Sequence, residues 1–163
     1  MALTEILDQV AGFNCARVTV TGGEPLAQRA CLGLLTALCD AGYLVSLETS
    51  GALDVRAVDP RVMRVMDWKT PGSGELARNC LDNIEALVPR DQVKFVLCDR
   101  TDYDWARDEL VKHKLSSRCE VLFSPVQGQL NPSDLADWML ADRLEVRMQI
   151  QLHKLLWGNE PGR

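Results

Sequence analysis

The 163 residues are 47% hydrophobic and 25% charged, which is enough apolar content for a packed core and enough charge for one soluble domain spanning 1–163. A formal net charge of -5 without any basic block argues against nucleic acid or an anionic membrane as the main partner and favours small molecules. No apolar run reaches the ~18 residues of a membrane span, and the start, Met-Ala-Leu-Thr-Glu, lacks the basic flank and apolar core of a signal peptide, so the expected location is the cytoplasm.

Along the chain, apolar runs alternate with amphipathic stretches. A leading helix over 4–11 is followed by a strand over 16–20, whose β-branched Val18, Thr19 and Val20 are too few for a helix. A helix over about 25–40 follows, with Pro25 in its first turn and Gly42 beyond its end. Then come a strand "YLVSLE", a short turn or helix before Pro60, a strand "VMRVMD", a helix over about 75–87 and a strand "QVKFVLC". A helix over 102–114, a strand "EVLFS", a helix over 133–141 and a last strand "VRMQIQL" complete the order. Connections too long for hairpins imply an α/β fold with a mostly parallel sheet of about six strands. Trp105 and Trp138 fall at apolar helical positions and read as core, whereas His113 in "ELVKHK" reads as solvated surface.

In parallel sheets, ligands bind at the carboxyl ends of the strands. Here those ends read Thr21-Gly22-Gly23-Glu24-Pro25, Glu48-Thr49-Ser50-Gly51, Asp67-Trp68-Lys69, Asp99-Arg100, Ser124-Pro125-Val126-Gln127, and Gln151 with His153. Two glycines let the backbone approach a ligand closely, and Glu24 sits where a helix dipole favours negative charge. An ordinary βα turn with a capping carboxylate would look the same, but glycines and hydrogen-bonding side chains recur wherever an apolar run stops. That recurrence favours one site ringed by strand ends. Gln151 and His153, two apart on the last strand, would point to one face. The six cysteines, Cys15, Cys31, Cys39, Cys80, Cys98 and Cys119, include no Cys-x-x-Cys pair, and buried reduced thiols are their expected state.

The stretches "TGGEPLAQ", "SLETSG", "DWKTPGSGE", "VKFVLCD", "LFSPVQGQLN" and "QLHKLLW" together resemble the 7-carboxy-7-deazaguanine synthase family of radical S-adenosylmethionine enzymes, over essentially the whole chain. The resemblance implies an incomplete, curved barrel with outer helices. It implies a lyase reaction in which S-adenosylmethionine on a [4Fe-4S] cluster yields a 5'-deoxyadenosyl radical that abstracts hydrogen from 6-carboxy-5,6,7,8-tetrahydropterin. Magnesium-assisted ring contraction with loss of ammonia follows, on the path to queuosine. An electron donor such as a flavodoxin and a homodimer come with it.

By the same resemblance, Gly22, Gly23, Glu24 and Pro25 receive the amino-acid end of S-adenosylmethionine. Glu48 and Ser50 hold its ribose or the substrate, and Asp67, Trp68, Lys69, Ser124, Pro125, Val126 and Gln127 line its adenosyl part. Thr21, Thr49, Gln151 and His153 face the pterin. The family's three cluster cysteines and its magnesium-binding threonine precede the segment matching 16–26, where this chain has fifteen residues and only Cys15. The expectation is therefore a carboxy-terminal portion of the enzyme, without metal ligands or an assignable catalytic residue, and inactive alone. The alternatives are a cluster-free module that binds the cofactor or the pterin, and a non-radical α/β enzyme using the same strand ends.

Overall fold

The computed structural model describes residues 2–158 and 160. Six strands, β1 (Arg17–Val20), β2 (Leu44–Thr49), β3 (Met63–Trp68), β4 (Gln92–Leu97), β5 (Glu120–Pro125) and β6 (Arg147–Met148), form one open sheet in sequential order, and every pair is parallel. Sequential parallel order carries every strand end to the same edge of the sheet. The helices are α1 (Leu3–Gly12), α2 (Cys31–Asp40), α3 (Arg100–His113), α4 (Pro132–Asp142) and α5 (Leu152–Trp157). None among the described residues is long and apolar enough to cross a membrane.

Alternation along the strands divides the sheet into two faces. On the first, Val45 and Leu47 pack with Leu35 and Leu38 of α2, while Met66, Trp68, Phe95 and Phe123 pack with Tyr103 of α3 and Leu135 of α4. Phe123 is the hub of this second group, meeting Phe95 and Tyr103 edge-on at 5.6 and 5.8 Å. Trp105 and Trp138 pack against its margin, as expected of core residues. The opposite face carries Thr19, Ser46, Glu48, Asp67 and Lys94, and its first row is tied by the hydroxyls of Thr19 and Ser46 at 2.9 Å.

The helix expected over 25–40 is two elements. A 3-10 turn over Pro25–Ala27 ends at Gln28, whose backbone is extended, and α2 starts afresh at Cys31. Glu24 caps the start of the turn by accepting from the Leu26 N–H, and the turn ends where the Gln28 backbone becomes extended. No α-helix forms over 75–87; three 3-10 turns lie between Pro71 and Ala86. Asn79 spends its amide on the Lys69 backbone, and Asn83 spends its own on Val55, Gly51 and Leu53. The segment is thus tied to neighbouring loops rather than to its own preceding turn.

The last strand is only Arg147–Met148, and the residues after Gln151 in "QLHKLLW" form α5, with Leu152, Leu155 and Leu156 at helical spacing. His113 is not free surface either. Its ring is half-buried, 5.9 Å from that of Trp68, with Nε2 3.1 Å from Glu109.

All six cysteines are free. Cys15 is exposed, Cys31 and Cys119 are buried, and the others are half-buried. Burial, with Asp91 nearby, pushes the Cys119 thiol up to about 11. Iodoacetamide under native conditions is therefore expected to label Cys15 and to spare Cys31 and Cys119 until urea is added, as read by peptide mass spectrometry. Native labelling of Cys119 as fast as Cys15 would contradict this packing.

Candidate functional site

Where β1, β2 and β3 end, their polar residues converge on a cavity of about 170 Å³. Thr21, Gly22 and Gly23 line it from β1, Glu48, Thr49 and Ser50 from β2, and Asp67 and Lys69 from β3. β1 stops because Gly22 and Gly23 take positive φ, 107° and 57°. A Cβ on either would meet nothing within 4 Å, so these glycines are required for their backbone conformation and leave open space beside the turn.

Glu24 fastens this turn to the end of β2. Its carboxylate accepts from the Leu26 N–H at 3.1 Å, the Thr49 hydroxyl at 2.9 Å, the Ser50 N–H at 2.8 Å and the Ser50 hydroxyl at 2.5 Å. Burial alone would raise its pKa, but hydrogen bonds from Ser50, Leu26 and Thr49 outweigh burial and hold the carboxyl below its ordinary value. Four donors use the acceptor capacity of a carboxylate. Thr49 is likewise committed, donating to Glu24 and accepting from the Gly51 N–H at 3.2 Å.

Across the cavity the Lys69 ammonium lies 2.9 Å from Asp67, and the Thr21 hydroxyl donates to Glu48 at 3.4 Å. Lys94, which the reading of strand ends missed, reaches the same cavity from the open face of β4. Its signal was a lysine between Val93 and Phe95 in an interior strand, where parallel sheets are usually apolar.

The remaining candidates lie elsewhere. Pro25 is buried at the head of the 3-10 turn. Trp68 is 2% exposed among core aromatics, so it offers the site only main-chain groups. Ser124 is buried at the end of β5, and Val126 is tied by its N–H to Leu97. Pro125, Gln127 and Gln151 line a second, mainly apolar cavity of about 120 Å³ with Leu130, Ile150 and Leu155. Gln151 precedes α5 instead of standing on a strand, and its Oε1 is buried without a partner. His153 falls inside α5, so the shared strand face expected for the pair does not exist; its side chain lies outside the described residues.

The polar cavity joins the open glycine turn to the Asp67–Lys69 charge pair and the Thr21–Glu48 hydrogen bond, groups suited to a small polar ligand. The chain's donors do not fit a metal cluster: among the described residues no three His, Cys, Asp or Glu side chains gather. Cys31 and Cys119 sit in separate halves of the core.

No protein-family model matches the chain. It is 46% identical over 161 residues to a 7-carboxy-7-deazaguanine synthase of Chlorobaculum tepidum, covering 97% of this chain and 73% of that protein. Among solved structures, QueE from Escherichia coli superposes with a TM-score of 0.72 at 20% identity, over 93% of this chain and 64% of QueE. SuiB of Streptococcus suis, solved with S-adenosylmethionine, superposes with a TM-score of 0.60 at 14% identity, over 90% of this chain and 40% of SuiB.

Proposed function

From the premise that this chain belongs to the 7-carboxy-7-deazaguanine synthase family, we propose that it provides the S-adenosylmethionine and pterin pocket of an enzyme converting 6-carboxy-5,6,7,8-tetrahydropterin to 7-carboxy-7-deazaguanine with loss of ammonia. The observation that carries the reading is the single cavity joining the Gly22-Gly23 turn to Glu48, Ser50, Asp67 and Lys69 at the strand ends. In it the cofactor's ammonium takes the main-chain carbonyls of the Gly22–Gly23 turn, with the committed Glu24 charge close behind. Glu48 and Ser50 hold the ribose, and Thr21 faces the pterin. The partnerless Gln151 Oε1 accepts from a donor on the ring edge of whichever ligand fills the apolar cavity.

When bound, S-adenosylmethionine supplies the radical that abstracts hydrogen. No step through the iron–sulfur cluster or magnesium is assigned to this chain, because its described residues hold no matching donor set. Its own residues bind and orient the ligands and exclude water. The reading includes a reducing partner such as a flavodoxin, a homodimer and a cytoplasmic location.

Calorimetric titration of the 163-residue chain with S-adenosylmethionine is expected to show one site, and absence of binding would overturn the cofactor reading. Anaerobic reconstitution with iron and sulfide is expected to give neither a stoichiometric [4Fe-4S] cluster nor 5'-deoxyadenosine from these residues alone. Appearance of both would show that the six cysteines can be brought together and that the cluster belongs to this segment.

A further inference from the structure

Beside the cavity, the loop that follows β3 is held from two sides. Asn79 binds the Lys69 backbone twice, accepting from its N–H and donating to its carbonyl, both at 2.9 Å. The other side is held by Asp102 in the first turn of α3, a residue 1% exposed and absent from the cavity lining. Its carboxylate accepts from the Thr70 hydroxyl at 2.9 Å, the Gly72 N–H at 2.8 Å and the Cys98 N–H at 3.0 Å. The contact is close enough that a Cβ on Gly72 would stand 2.6 Å from Asp102 Oδ2. Asp102 is oriented in turn by Asp99, whose side chain caps α3 by accepting the Asp102 N–H at 3.0 Å.

A buried carboxylate whose three acceptor contacts join two loops, two of them from the loop after β3, is built to fix that loop. From this geometry we infer that Asp102 is a positioning residue: it holds residues 69–72 in the conformation that carries Lys69 to Asp67 and completes the ligand cavity. The inference rests on the cavity being the ligand site proposed above, and its test separates the two. Asp102→Asn keeps size but sets an N–H₂ group against one or two N–H or O–H donors, so the loop should detach while the sheet persists.

Amide hydrogen exchange of the 163-residue chain is the direct measurement. In Asp102→Asn, exchange at the Lys69, Gly72, Ser73, Gly74 and Cys98 amides is expected to rise by about tenfold or more, with Val93, Phe95 and Leu110 unchanged. Gly72→Ala, which meets the carboxylate from the other side, should loosen the same residues and keeps the test open if Asp102→Asn fails to fold. Lys69→Ala should weaken S-adenosylmethionine binding in the wild-type background and have no further effect in the Asp102→Asn background. Unchanged loop exchange in both variants, or protection lost evenly through β4 and α3, would overturn the positioning role. Loop loosening in a chain that binds no S-adenosylmethionine would sustain that role and remove the cofactor reading.

Discussion

Asp91→Ala is expected to lower the unfolding free energy by about 3–5 kcal/mol, because it leaves the Arg64 guanidinium buried without its counter-charge. Arg64 stands on the helix-facing side of β3 with its side chain 11% exposed, and Asp91, with none exposed, precedes β4. The two form an ion pair, and Asp91 also accepts from the Arg64 and Val88 N–H groups at 2.9 Å each. Arg64 donates in addition to the Ala86 carbonyl at 2.6 Å, so the pair closes the chain between β3 and β4 at the end opposite the cavity. A single domain has a total stability of roughly 5–15 kcal/mol, and the variant should be marginal at room temperature. Urea denaturation reads this as a lower midpoint with an unchanged slope. Arg64→Met combined with Asp91→Leu should recover only part of the loss: apolar replacement removes the need to desolvate charge, but it leaves the Arg64 and Val88 N–H groups without their acceptor. A loss below about 1 kcal/mol for Asp91→Ala would place it in the range of an exposed pair.

The parallel sheet was legible in the chain because β-branched and aromatic runs repeat at βα spacing, and each run buries one face under helices. The cavity was legible for a different reason: Gly22, Gly23, Glu48, Asp67 and Lys69 are polar or glycine at points where an apolar run stops. Illegible were the elements whose conformation is decided by distant partners. Asn79 and Asn83 tie their segment to the loops after β2 and β3, contacts that helical periodicity over 75–87 does not contain. Arg147 and Met148 pair with β5, and the chain turns into α5 after Gln151, a change that the short alternating run over 146–152 did not signal. Trp68 alternates onto the core face, so adjacency in sequence to Asp67 and Lys69 did not place its ring with theirs. Asp102 was invisible as a site-former since nothing local distinguishes it from any carboxylate in a first helical turn.

Glu24→Gln is expected to loosen the glycine turn and to weaken S-adenosylmethionine binding by about tenfold or more. The wild-type carboxylate receives the Leu26 N–H, the Thr49 hydroxyl, the Ser50 N–H and the Ser50 hydroxyl. An amide offers one acceptor oxygen and points two N–H donors at the remaining partners, so either the Ser50 side or the Leu26 side loses its acceptor. Each lost partner costs about 1–3 kcal/mol when buried and less in this half-exposed turn, where water substitutes. The sign of the pH dependence follows from the depressed carboxyl pKa. The unfolded chain binds the proton more tightly, so Glu24 contributes stability above its unfolded value near 4.5, and that contribution is lost as the pH falls through the lower folded value. The stability gap between wild type and Glu24→Gln should therefore be widest near neutral pH and narrow in acid, measured by urea titration at several pH values. Calorimetry on the same proteins supplies the functional half: because all four acceptor positions are filled from within the protein, the loss of affinity should appear together with increased amide exchange at Leu26 and Ser50. A loss of affinity with exchange unchanged would instead make Glu24 a direct ligand of the cofactor's ammonium, and unchanged affinity would take the turn out of the site.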